Sequence, residues 1–170
     1  MIHFEEAERK DIPGIIEVMK DTGYVGFVYK NKSDAEIEKD IIAAKEKTFL
    51  ICYEKISLGK KKIIGYFIFA PVENHLKDAR KHAFIDERYA YHLGVGIHSD
   101  YRGQKLGKKL TEYALQTAER KGFKGMYADV ASNNTVSLKL QEAMGFKKIA
   151  EYSSRKRPAG INNVLFVKHF

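Results

Sequence analysis

The chain has 170 residues, 44% apolar and 31% charged, which fits one globular domain and excludes large-scale disorder. Its 30 basic residues against 22 acidic ones leave a formal charge of +8, which suits an anionic partner (nucleic acid, an acidic surface or a phosphorylated cofactor) or simply a soluble basic surface. A lone Cys52 excludes an internal disulfide and a thiolate metal cluster, no apolar run is long enough to span a bilayer, and MIHFEEAERK lacks the layout of a secretory leader, so a cytoplasmic protein is expected.

Ile2 and Phe4 alternate with His3 and Glu5, predicting a short first strand. Asp11 is a candidate N-cap ahead of Pro13, and Ile12, Ile15, Ile16 and Met19 mark one face of a first helix. Residues 21–32, DTGYVGFVYKNK, break the pattern with Gly23 and Gly26 and read as a loop. Its Tyr24, Phe27 and Tyr29 either pack on the core or line a substrate mouth. Ser33 and Glu36 have capping-box spacing, so a second helix should run to about residue 47, with Ile37, Ile41 and Ala44 on one face. Strands at 49–53 and 63–72 should form a hairpin through the polar turn SLGKKK, with Cys52 as a buried structural thiol. Residues 73–88 are charged and weakly periodic, and read as a solvated loop or short helix. Their His75, His82, Asp86 and Glu87 match no metal-ligand spacing, so no metal is expected.

Residues 91–97 form a predicted strand whose interior Gly94 and Gly96 mark a bulge or the close approach of another group. A polar turn follows, then a long helix with Leu106, Leu110, Tyr113, Ala114 and Thr117 inward and Gly122 closing it. After a strand at 127–130, Asn133 or Asn134 caps a helix with Val136, Leu140, Ala143 and Met144 inward, ended by Gly145 and Phe146. Strands at 148–153 and 163–169 are joined as a hairpin by RKRPAG.

The turn after the strand at 91–97 carries the chemistry. Arg102 supplies a planar cation, Gly103 lets backbone approach a ligand, and Gln104 to Gly107 read as a first helical turn with free N–H groups. Lys105 and Lys108 sit where the helix dipole disfavours positive charge, and fit better if an anion is bound. A mis-charged, solvated helix start is the plain alternative. The spacing matches neither a Walker loop nor a dinucleotide fingerprint.

At these residues the sequence resembles the GNAT superfamily of acyl-CoA-dependent N-acyltransferases, whose diphosphate loop reads Arg/Gln-x-x-Gly-x-Gly/Ala. Arg102 and Gly107 match, Leu106 fills the aliphatic slot, Gly103 is a common choice, and Lys105 replaces the middle glycine. Downstream, Val130, Asn134, Gly145 and Phe146 match a second family pattern, in which Gln141 stands at the position of a tyrosine that serves many relatives as general acid. The resemblance implies an α+β fold over residues 1–170 as one domain: a mixed, mostly antiparallel sheet flanked by helices, with a splayed central strand pair. It implies acetyl-CoA as co-substrate and no metal. The backbone of Val95, Gly96 and Ile97 would meet the pantetheine arm, and that contact would explain Gly94 and Gly96. Arg102, Gly103, Gln104, Lys105, Leu106, Gly107 and Lys108 would hold the diphosphate, and Asn134 would sit near the pantetheine or thioester.

Acyl transfer by direct attack in a ternary complex needs a proton acceptor, for which His92, Asp129 and Glu87 are candidates, and an acid, for which Tyr152 is a candidate. Each has an equally plain reading as a structural or solvated residue. The acceptor is a primary amine of a small molecule or a protein, met by loops at 22–32, 73–88 and 155–162. A homodimer through the sheet edges is left open. Two other readings compete: a basic nucleic-acid-binding domain, and a coenzyme-binding domain without activity. The lysines are spread over many elements and no RNA-binding aromatic motif stands out, so nucleic acid is not the expected partner.

Overall fold

The turn expected at residues 57–62 includes Leu58, which lies outside the described residues; the computed structural model describes residues 1–57 and 59–170. The strands are β1 (Ile2–Glu6), β2 (Thr48–Ser57), β3 (Lys60–Pro71), β4 (Ala90–Ile97), β5 (Gly125–Ala131), β6 (Lys147–Ser153) and β7 (Asn162–His169). The helices are α1 (Ile12–Asp21), α2 (Tyr24–Val28), α3 (Asp34–Ala43), α4 (Leu106–Arg120) and α5 (Thr135–Ala143). Strand order is β1-β2-β3-β4-β5-β7-β6. The β1–β2, β2–β3, β5–β7 and β6–β7 ladders are antiparallel, and β4–β5 is parallel over Ala90 to His92 only. The sheet is therefore mixed and mostly antiparallel, as expected.

Backbone proximity divides the chain into two compact units, Met1–Phe69 with Gly94–Ala114 and Ala70–Leu93 with Leu115–Phe170. In the first, β2 and β3 carry near-continuous buried runs, Phe49 to Tyr53 and Ile63 to Phe69. Helix α1 buries Ile12, Ile15, Ile16, Val18 and Met19, and α3 buries Ile37 and Ile41. The Ser33–Glu36 capping box forms, but α3 ends at Ala43 rather than near residue 47. Asp11 precedes α1 without capping it: its carboxylate accepts the Glu8 N–H (2.9 Å) and takes part in an ion-pair cluster with Lys61. The segment expected as a loop contains α2, which starts after a left-handed Gly23 (φ +78°). Tyr29 is buried there and Phe27 is 73% exposed, so the aromatics divide between core and surface. Cys52 is buried, and that burial pushes its thiol up to about 12, as befits a packed, unreactive side chain.

In the second unit, Val72, Leu76, Ala79, Ile85, Tyr89, Tyr127, Tyr152, Leu165 and Val167 form one apolar cluster. The segment at 73–88 is thus a structural cover rather than the solvated connection its charge suggested. It forms two one-turn 3-10 helices, Val72–Asn74 and Ala79–Lys81, and buries Leu76, Ala79 and Ile85 between its charges. Helix α5 also departs from expectation. Met144 is buried as predicted, but Val136 is 78% exposed, Ala143 is exposed, and Gln141 is buried in their place. A buried glutamine shifts the inward stripe off the apolar pattern that periodicity reads.

Candidate active site

In the first unit the turn after β4 is pinned at three points. The His98 N–H donates to the Ile64 carbonyl of β3 (2.8 Å). The Tyr101 hydroxyl donates to Glu54 on β2 (2.9 Å). The Asp21 carboxylate, at the end of α1, accepts from both the N–H (2.7 Å) and the hydroxyl (2.8 Å) of Ser99. Those two bonds hold the Asp21 carboxyl below the usual carboxylate range, so it is ionised at neutral pH. Arg102 follows, with its Nε donating to the Ile97 carbonyl (3.3 Å) and its Nη2 3.6 Å from Asp21. Its side chain is 58% exposed, so the guanidinium is oriented at one edge and open at the other.

Gly103 (φ +80°) and Lys105 (φ +58°) both take the left-handed conformation. Lysine at 105 therefore preserves the backbone shape that a glycine would give there, at a steric cost. Helix α4 begins at Leu106, so Gln104 and Lys105 precede the helix instead of forming its first turn. Its first backbone bond is Lys109 N–H to the Lys105 carbonyl (3.1 Å), which leaves the amides of Leu106, Gly107 and Lys108 without an acceptor inside the helix. A β-carbon built on Gly107 would meet only Ile97, at 3.8 Å, so the approach to these amides is clear. Lys108 is also paired with Glu112 (4.0 Å) on the outer face. Pinned backbone, free amides and a half-open guanidinium make a surface suited to a diphosphate.

The β4 glycines have a cause that lies in the protein itself. A β-carbon on Gly96 would stand 2.6–2.8 Å from the Tyr66 ring, and one on Gly94 would stand 2.7 Å from Tyr24. The two rings meet edge-on, with centroids 5.6 Å apart, and the Tyr66 hydroxyl bonds to Thr22 (3.2 Å). The glycines thus admit tyrosines against the strand, where pantetheine contact was the expected reason. Burial pushes the Tyr66 hydroxyl up to about 12 and raises those of Tyr24 and Tyr29, so all three are neutral at pH 7. Val95 and Ile97 are half-buried between and beyond these glycines.

The second unit holds the four candidate acid–base residues. It brings two of them together. Tyr152 on β6 donates its hydroxyl to Asp129 Oδ2 on β5 (2.7 Å). The other oxygen of Asp129, Oδ1, is buried and has no hydrogen-bond partner among the described residues. Burial outweighs the Tyr152 bond and the nearby cations Arg157 and Lys156, and lifts the Asp129 carboxyl above its ordinary range. The Tyr152 hydroxyl is 4% exposed as a residue and is raised by burial and by its bond to Asp129, which makes it a poor proton donor. Asn163 Oδ1 accepts from Arg157 Nε (2.7 Å). Asn163 is 6% exposed and stands opposite Tyr152 in the β6–β7 register.

Glu87 is not part of this group. It pairs with Arg80 (2.6 Å), whose guanidinium also reaches the carbonyls of Val72 and Glu73 and so ties the 73–88 segment together. His92 is on β4, opposite Ala128. Asn134 caps α5 by accepting the Ser137 N–H (3.1 Å). Gln141 is 1% exposed, with Oε1 unpaired among the described residues. Sequence reasoning missed Asp21, Ser99, Asn163 and Arg157. Nothing local marks Asp21, which is 78 residues from Ser99; Arg157 carried a signal only as part of the basic RKRPAG turn.

A family model described as Acetyltransferase (GNAT) family matches residues 14–146, which include the pinned turn, Asp129 and Asn134. The L-methionine sulfoximine/L-methionine sulfone acetyltransferase of Salmonella typhimurium is 27% identical over 96 residues, covering 54% of this chain and 56% of that protein. The ribosomal protein bS18-alanine N-acetyltransferase of Escherichia coli is 28% identical over 64 residues, covering 38% of this chain and 42% of that protein. The matches cover 28% to 56% of the length of the curated relatives. The structure of yncA from Salmonella typhimurium, solved with its cofactor acetyl-CoA, has the same fold, with a TM-score of 0.74 at 18% identity over 99% of this chain and 94% of that one.

Proposed function

The chain belongs to the acetyltransferase (GNAT) family, and from that premise we propose that it transfers the acetyl group of acetyl-CoA directly to a primary amine. The observation that carries this reading is the turn at 98–107, held by Asp21, Glu54 and Ile64 with its amides and Arg102 presented to an anion. Arg102 and the amides at the start of α4 bind the diphosphate, and backbone N–H groups of β4 supply the donor for the tetrahedral oxyanion.

An alkylamine with a pKa of about 10.4 costs roughly 4.6 kcal/mol to deprotonate at neutral pH, so attack needs an acceptor for its proton. Asp129 is our assignment, because its Oδ1 lacks a partner and its raised pKa makes it a better base than an ordinary carboxylate. The ammonium gives one proton to Asp129, the neutral nitrogen forms the new C–N bond, the C–S bond breaks to release coenzyme A as a thiolate, and the second proton of the nitrogen passes through solvent to that thiolate. Tyr152 holds Asp129 in place. His92 is the alternative base.

The test is titration with acetyl-CoA, followed by thiol release across a panel of amines. Saturable binding that Arg102→Ala weakens by about tenfold, with turnover of at least one amine, supports the reading. Absence of binding at millimolar coenzyme overturns it. Binding with no turnover of any amine would leave a coenzyme-binding domain without transferase activity.

A further inference from the structure

In the first unit, residues 21–24 run back along β4 from the pinned turn. Asp21 holds Ser99, just beyond the end of β4. Thr22 bonds to the hydroxyl of Tyr66 (3.2 Å), the ring that lies where Gly96 has no side chain. Tyr24 lies in the same way on Gly94, which shares a face of the strand with Gly96. A β-carbon at Gly94 would stand 2.7 Å from Tyr24 Cε2 and 3.4 Å from its hydroxyl oxygen. Glycine there brings the hydroxyl end of the ring onto the strand. The ring is fixed by Tyr66 (centroids 5.6 Å apart, edge-on) and Tyr29 (6.3 Å, tilted).

The hydroxyls of Tyr66 and Tyr24 differ. That of Tyr66 is bonded to Thr22. That of Tyr24 makes no hydrogen bond among the described residues, and its oxygen still reaches solvent from a half-buried ring. Gly94 and Val95 are half-buried as well, so this stretch of strand is open beside the hydroxyl. Packing needs only the ring. A hydroxyl held over open strand backbone, with its proton unclaimed, can serve a ligand.

We propose that Tyr24 is a catalytic hydrogen-bond donor: its hydroxyl meets the thioester carbonyl of acetyl-CoA and stabilises that oxygen as it becomes negative. The assignment rests on the acetyltransferase reading and adds a side-chain donor to the backbone N–H groups of β4. Tyr24 keeps its proton throughout. The carbonyl oxygen gains charge as the amine adds and gives it back as the C–S bond breaks, and the thiolate is protonated through solvent. Burial, with Tyr29 and Tyr66 beside it, raises the Tyr24 hydroxyl above the ordinary phenol range. That suits a donor that stays protonated, and not an acid that gives its proton away. Tyr152 does not supply this bond, because its hydroxyl is held by Asp129.

The experiment compares the native protein with Tyr24→Phe and Tyr66→Phe, each of which keeps its ring. Titration reads acetyl-CoA affinity, thiol release reads turnover of an amine the native protein acetylates, and difference infrared reads the carbonyl stretch of bound, isotope-labelled acetyl-CoA. Tyr24→Phe should lower kcat about 100-fold, with the Kd of acetyl-CoA within about threefold and the melting temperature unchanged. The bound carbonyl should absorb at lower wavenumber in the native protein than in Tyr24→Phe, a difference that ring packing does not produce. Tyr66→Phe should keep the native band and a kcat within about threefold of native. Either an unchanged kcat or an unchanged band in Tyr24→Phe would overturn the proposal and leave the acetyltransferase reading intact. So would an equal fall in kcat in Tyr66→Phe, which would make the effect one of packing. If the coenzyme binds and no amine is turned over, the band alone decides. Failure of the native protein to bind acetyl-CoA would sink both.

Discussion

Asp21 accepts two hydrogen bonds from Ser99, one from its N–H and one from its hydroxyl, and lies 3.6 Å from Arg102. A carboxylate beside the proposed diphosphate site should repel the ligand, and Asp21 is ionised because its pKa is depressed. Its two bonds to Ser99 show what it does instead: it fixes the start of the turn and the direction of Arg102. Asp21→Ala should therefore weaken acetyl-CoA binding, on the order of tenfold, with the KM of the amine unchanged. Isothermal titration separates the two roles, because tighter binding in Asp21→Ala would make repulsion the dominant effect.

Lys105 sits at φ +58° in an exposed turn. Lys105→Gly should raise stability by about 1 kcal/mol, as left-handed backbone becomes free of steric cost. The same change removes a cation from the turn proposed to bind coenzyme, so affinity should fall a few-fold while the melting temperature rises. Denaturant unfolding and coenzyme titration of one variant read both signs.

Gly96 and Gly107 should respond in opposite ways to alanine. At Gly96 the new carbon meets the Tyr66 ring at 2.6–2.8 Å, and Tyr66 is 1% exposed and cannot swing aside. A loss of about 1–3 kcal/mol is expected. At Gly107 the new carbon has only Ile97 at 3.8 Å, so the fold should hold or gain from helix propensity. Coenzyme affinity should fall there instead, because the methyl stands over the amides. Thermal melts with and without acetyl-CoA distinguish the two.

Asp129→Asn should remove activity and increase stability together. The folded pKa of Asp129 is raised, because burial disfavours its charge. A raised folded pKa gives stability that is complete below the unfolded carboxylate value and is lost as pH rises through the folded one. At neutral pH the native protein therefore carries the cost of a buried charge, and asparagine does not. The variant should melt higher at pH 7, with the difference shrinking as pH falls through the Asp129 pKa, while kcat drops about 100-fold or more. A variant that melts lower at pH 7, or keeps its turnover, would transfer the role of base to His92.

Local regularities carried most of the secondary structure. The Ser33 capping box, the α4 stripe of Leu106, Leu110 and Ala114, and the left-handed Gly122 and Gly145 are set by neighbours a few residues away, and a reader of the sequence has those neighbours in hand. Arg102 and Gly107 were legible for the same reason, since free amides at a helix start are a local property. The segment at 73–88 was misread because Leu76 and Ile85 are buried in one cluster with Tyr127, Tyr152, Leu165 and Val167, far along the chain, and helix α5 because the buried Gln141 carries no apolar signal.

The sequence by itself determined which backbone could meet an anion, because glycine, dipole and helix start act over one or two turns. Tertiary structure decided what holds that backbone and what surrounds the proposed base. Asp21 reaches Ser99 across 78 residues, and Asp129 meets Tyr152 across 23. Contacts of that kind depend on strand order and burial, and no spacing in the sequence encodes them.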